Sequence, residues 1–159
     1  MLYLGREVTL SVESVESRNV GVKFDGRGLR LCVPAELTGA ERLSRITSEL
    51  TGWYKSRAEH VLPQIVESWQ GKLGRSPSNI LIRDQSQRWG SCASDDTIRF
   101  NWRIIMAEPA LVDYVVVHEL AHLSVHDHSR KFWGEVERVM PDYKVRRQKL
   151  KEVGPYLYL

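Results

Sequence analysis

Residues 118–128 read His118-Glu119-Leu120-Ala121-His122-Leu123-Ser124-Val125-His126-Asp127-His128, and they decide how the chain around them is read. Histidines four apart, with a glutamate directly after the first, lie one turn apart on one face of a helix. Both imidazoles then reach one metal ion, and Glu119 beside them reaches a water on that metal. Catalytic zinc takes three protein ligands and keeps one position open. The third ligand cannot come from the same turn, so the chain must bend back. His128 follows Asp127, where a helix can end, and is preferred. His126, four residues past His122, would stack a turn further along. Asp127, Glu135 and Glu137 are the rival carboxylates.

Working outward, Leu111 to Leu123 is apolar nearly all round, the pattern of a buried helix. Pro109 suits its first turn. The run Val115–Val117 alone would suit a strand; the length, Pro109 and the histidine spacing select a helix. In such a helix His118, Glu119 and His122 are costly without partners. Downstream, Asp127 or Ser129 caps a further helix with Phe132, Trp133, Val136 and Val139 on its apolar side. Met140-Pro141-Asp142 breaks it. Residues 143–153 form a last helix, with five Lys/Arg among residues 144–151. A solvated face is the first reading of that run, a nucleic-acid surface the alternative.

Upstream lies a hairpin: Arg88-Trp89-Gly90-Ser91-Cys92, a Ser94-Asp95-Asp96 turn, then Ile98 to Trp102. It directly precedes the metal helix, so it is the candidate to bind an extended substrate as an added strand. It reads equally well as an edge hairpin packed by Trp89 and Trp102. Ile80 and Ile82 begin a short strand before it, after a loop at 74–78. Arg88, Trp89, Ser91, Asn101 and Tyr143 are the candidate substrate-binding residues.

Residues 7–33 alternate with period two in three runs (Val8 to Val12, Val20 to Phe24, Leu29 to Val33), which predicts an antiparallel β-meander. Asp25-Gly26-Arg27-Gly28 turns the last two strands. Thr38 to Glu41 matches a capping box. Helical spacing then runs to Trp69, with Pro63 expected to kink or split it. His60 reads as an isolated histidine. One domain follows for 159 residues, organised as 1–37 meander, 38–73 helical segment and 79–159 catalytic core. Net charge is +3, which permits an acidic partner without requiring one. Cys32 and Cys92 form no C-x-x-C pair, which speaks against a zinc ribbon or a disulfide framework. The opening MLYLGREVTLSVE alternates and is charged, unlike a signal peptide. No apolar run approaches the ~20 residues that span a bilayer. A reducing, cytoplasmic setting is expected.

Several stretches together resemble the YgjP-like metallopeptidase family, with wider kinship to SprT-like and WLM zinc-protease domains. They are RWGSC (88–92), FNWRIIMAEPALVDYVVVHELAHL (100–123), HSRKFW (128–133) and MPDY (140–143). The resemblance implies an α+β, zincin-like domain, one zinc ion per chain held by His118, His122 and His128, and Glu119 as general base. It supports His128 over His126. The histidine spacing also equals that of metzincins, which carry glycine where this chain has Val125; Val125 speaks against that family, and Met140 reads as core. SprT-like proteins often carry a C-terminal zinc ribbon, which this chain's cysteines do not supply, so a DNA-linked role is in doubt.

The function expected is peptide hydrolysis by a zinc-bound water with Glu119 as its base. Tyr143, His126 and Arg88 are candidates to steady the oxyanion. Ser91 and Cys92 have no adjacent base, so a serine or cysteine nucleophile is a poor reading; Cys92 as an accessory zinc ligand is a minor alternative. The same chemistry can attack a phosphoanhydride, so a nucleotide pyrophosphatase is the first alternative, with Arg83, Arg88, Arg99 and Arg103 to hold phosphates. A DNA-associated protease or binding module is the second.

Overall fold

In the computed structural model, which describes residues 1–16, 20–85 and 87–159, the most buried strand of each larger sheet takes the middle place. The chain opens with a small hairpin, β1 (Leu2–Tyr3) and β2 (Arg6–Glu7). Its turn residues Leu4 and Gly5 both have positive φ, as a tight hairpin turn demands. Next come β3 (Thr9–Val15), β4 (Gly21–Phe24) and β5 (Gly28–Pro34). Their order is β3-β5-β4, with β3 parallel to β5 and β4 antiparallel to it. The expected antiparallel meander is therefore corrected to a mixed sheet. Burial gives the reason. Leu29, Leu31 and Val33 of β5 are almost wholly buried, while β3 alternates between half-buried and exposed and suits an edge. The link at 17–19, inside the expected meander, lies outside the described residues.

Helix α1 (Gly39–Leu73) is one continuous helix, so Pro63, expected to kink or split it, does not split it. Leu50, Tyr54, Ala58, Leu62 and Val66 form one buried stripe at four-residue spacing. Packing on both sides of Pro63 keeps the helix going against the ~3 kcal/mol that an interior proline costs. The capping box is not formed either. Gly39 has φ +52, which swings the entry to the helix, and the Thr38 side chain makes no cap bond. Gly74, at φ 74, closes the helix in the left-handed conformation, its N–H donating to the Gln70 carbonyl.

The second mixed sheet comprises β6 (Asn79–Arg83), β7 (Gly90–Cys92) and β8 (Thr97–Asn101), in the order β6-β8-β7. β7 and β8 form the expected hairpin; β6 runs parallel to β8. A 3-10 turn, Trp102–Met106, leads into α2 (Pro109–His122), with Pro109 in its first turn. It also receives the β1–β2 hairpin, through Leu4 and Gly5 N–H bonds to the Ile105 and Met106 carbonyls. Helices α3 (Arg130–Val139) and α4 (Tyr143–Val153) follow. α2 packs against α1, α3, α4 and β7, which explains its apolar circumference. The fold is α+β, and no helix among the described residues is long and apolar enough to cross a membrane.

Candidate metal centre

The last two turns of α2 carry His118, Glu119 and His122. Beyond His122 the chain turns tightly, with Ser124 and Val125 N–H groups bonding to the Ala121 carbonyl. Asp127 Oδ1 then accepts from the Ser129 N–H at 3.0 Å. This second turn brings His128 back over the helix end, and Ser129 opens α3 without a side-chain cap bond.

The Nε2 atoms of His118, His122 and His128 lie 3.1–3.3 Å from one another. A single nitrogen carries either a proton or a lone pair, so three of them cannot satisfy each other by hydrogen bonds. At least two of the three are therefore alike, two protons or two lone pairs face to face, and a cation shared by three lone pairs resolves that conflict. Metal–nitrogen bonds of ~2.0–2.1 Å at tetrahedral angles place nitrogens roughly 3.3–3.4 Å apart. The donor set thus fits a metal ion, and among the described residues these three form the cluster able to hold one. Burial and the neighbouring imidazoles push His118 down to about 3, and burial lowers His122 also, so both are neutral ligands at neutral pH.

Each ring is held differently. His122 Nδ1 lies 3.0 Å from the Val125 carbonyl, which can only accept; Nδ1 therefore carries the proton and Nε2 the lone pair. His118 Nδ1 is buried with no hydrogen-bond partner. His128 is exposed and stacks on Trp133 at 5.7 Å, while His122 stacks on Phe132 at 4.4 Å. Phe132 and Trp133, read from sequence as an apolar helix face, are the floor of the trio.

Glu119 is 5% exposed. A Cβ at Gly90 would fall 2.7 Å from Glu119 Oε1, so only glycine lets the carboxyl sit flat against β7. Burial raises the Glu119 carboxyl to about 8, against an opposing pull from the Arg88 charge. No local signal marks Gly90 in the sequence, because its contact with Glu119 spans separate elements.

The other candidates divide. Two clefts meet at Glu119 and His118. One, of about 570 Å³, runs past all three histidines and is lined by Arg88, Ser91, Cys92 and His126. The other, of about 270 Å³, is lined by Arg88, Trp89 and Tyr114 and by residues of α4. Asn101 is buried instead, its amide donating to the Gln85 and Arg88 carbonyls at 2.6 and 3.2 Å, so it clamps the loop that carries Arg88. Tyr143 is buried and stacked on Trp133 at 5.2 Å and lines neither cleft; Tyr114, one turn before His118, lines the smaller one. His126 stands outside the trio, and His60 lies on α1 beside Gln64. Glu135 pairs with Arg138 and Glu137 with Lys144, which draws both away from the histidines. Met140 is core. Burial pushes the Cys92 thiol up to about 11, which argues against a thiolate nucleophile or ligand. Of the four arginines considered for phosphate, Arg88 alone lines these clefts; Arg103 pairs with Asp84.

The family model described as YgjP-like, metallopeptidase domain, matches residues 1–153. The crystal structure of the metallopeptidase zymogen of Pyrococcus abyssi abylysin superimposes with a TM-score of 0.53 and 25% identity, over 59% of this chain and 96% of that one. The metallopeptidase zymogen of Methanocaldococcus jannaschii jannalysin does so with a TM-score of 0.51 and 23% identity, over 57% and 94%. No curated protein matches the chain.

Proposed function

This chain belongs to the YgjP-like metallopeptidase family, and from that premise we propose that it is a zinc-dependent peptidase with Glu119 as general base. The observation that carries the reading is the convergence of three imidazole Nε2 atoms beside a buried carboxyl that has no ion-pair partner among the described residues. His118, His122 and His128 would hold the metal. Zinc suits nitrogen ligands, and when bound it supplies Lewis acidity, acidifying water and polarising a carbonyl.

The chain's own residues do the rest. Glu119 takes a proton from the attacking water on a carboxylate oxygen and delivers it to the leaving amine. A cation among the three imidazoles favours the charged carboxylate and offsets the burial that raises it. Gly90–Cys92 of β7 form a sheet edge, where a substrate backbone can add as a strand and align its scissile bond over Glu119. Arg88 and His126, in the cleft wall, are the candidates to steady developing negative charge. We place the protein in the cytoplasm, a reducing setting that suits its two free thiols.

The test offers the metal-loaded protein unfolded peptides and nucleoside triphosphates side by side, with metal content measured on the same sample. Peptide cleavage at one zinc per chain is expected. Peptide inertness with brisk triphosphate turnover would replace this reading by the pyrophosphatase.

A further inference from the structure

Helix α4 carries five cations between residues 144 and 151, and they are not equivalent. Lys144 pairs with Glu137 at 3.4 Å, Arg146 with Asp142 at 2.9 Å, and Lys149 with Glu108 at 2.7 Å. Arg147 and Lys151, four residues apart and so on one face, have no carboxylate partner among the described residues. Both line the 270 Å³ cleft that reaches His118 and Glu119, and Arg88 faces them from the loop before β7. The guanidinium of Arg147 is held over the Trp133 ring at 4.9 Å. The one carboxylate in that lining is Glu119, which is committed to the proton. Between the cations the wall is apolar, with Trp89, Tyr114, Val115 and Leu150. An apolar cavity of ~150 Å³ holds a benzene ring, so this cleft has room for one large side chain and a charged group at its mouth.

We propose that this cleft is a specificity site for a carboxylate: it seats an apolar side chain beside the scissile bond while Arg147, Lys151 and Arg88 bind a carboxylate within one residue of it. The inference rests on the peptidase reading and names its substrate class. The carboxylate is either the free α-carboxylate of a C-terminal residue or the side chain of Asp or Glu. A charge-assisted hydrogen bond contributes ~1.5–3 kcal/mol, which corresponds to roughly ten- to a hundredfold in binding.

The probes are three N-acetylated peptides with phenylalanine beside the scissile bond. In the first, phenylalanine is last and its α-carboxylate free. The second is the same peptide amidated. The third is amidated with aspartate after phenylalanine. Binding is read by calorimetry on the metal-loaded Glu119→Gln variant, and KM and kcat on the wild type. We expect one or both carboxylate peptides to bind at least tenfold more tightly than the plain amide, and the stronger of the two names the source. Arg147→Gln/Lys151→Gln should abolish the preference through KM and binding. Lys144→Gln/Lys149→Gln, which removes the same charge from the same helix, should keep it. Lys151→Gln alone, which leaves the Trp133 stack intact, should lose part of it. Equal binding of all three peptides, or equal losses in the two double variants, overturns the proposal while cleavage itself still stands. If none of the three is bound or cleaved by protein carrying its metal, the peptidase reading falls and this site with it.

Discussion

The two mixed sheets share one topology and differ in what they do. In each, the first strand runs parallel to the third, the second runs antiparallel to it, and the third lies in the middle. In each, the second strand opens on a glycine, Gly21 in β4 and Gly90 in β7. The N-terminal sheet has two seven-residue strands; the second sheet has none longer than five. A Cβ at Gly21 would meet nothing within 4 Å, whereas one at Gly90 would strike the Glu119 carboxyl. Topology alone therefore does not make a site. What does is the packing of α2 against β7, which sets a buried carboxyl against the edge strand of the second sheet.

Paired substitutions in the two sheets sharpen this contrast, the largest effect first. Glu119→Gln should lower kcat by about 10²–10⁴-fold with metal content unchanged. Glu13→Gln, on β3 beside Arg30, should leave turnover where it was. Next, Phe100→Ala and Leu31→Ala each empty the centre of a middle strand, and each should cost about 2–5 kcal/mol in denaturant unfolding. Only the first should also change turnover of the molecules that remain folded. Gly90→Ala should cost roughly ten- to a hundredfold in kcat/KM by displacing the carboxyl, while Gly21→Ala should be silent; equal effects would break the contrast.

The smallest effect is in pH. Glu119 rises from 4.5 to about 8 on burial, so its contribution to stability is present below 4.5 and lost as pH climbs through 8. Metal-free wild type should therefore melt progressively lower than metal-free Glu119→Gln across that interval. A gap between the two melting temperatures that stays constant with pH would remove burial as the cause of the shift.

Much of the metal centre could be read in the chain because its signals are local. The four-residue histidine spacing, the Pro109 start and the turn at Asp127 each lie within a few residues, and period-two runs marked the hairpin. The order β3-β5-β4 could not be read, since Leu29, Leu31 and Val33 take the centre only once a core exists to bury them. Pro63 does not split its helix for a similar reason: the packed stripe on both sides outweighs the local preference. Gly90 stayed hidden because its neighbour is 29 residues away. The α4 cations looked alike until their partners, Glu137, Asp142 and Glu108, separated three from two.

Val125 has a last consequence. It holds His122 through its main-chain oxygen, and its own side chain is a nearly buried part of the core. Almost any residue that accepts the same turn offers that oxygen, so no single side-chain replacement at 125 need erase it. The fixing of His122 is thus mutationally robust and invisible to side-chain comparison. Position 125 can therefore take other apolar side chains that keep the turn, and the imidazole that its carbonyl orients stays in place.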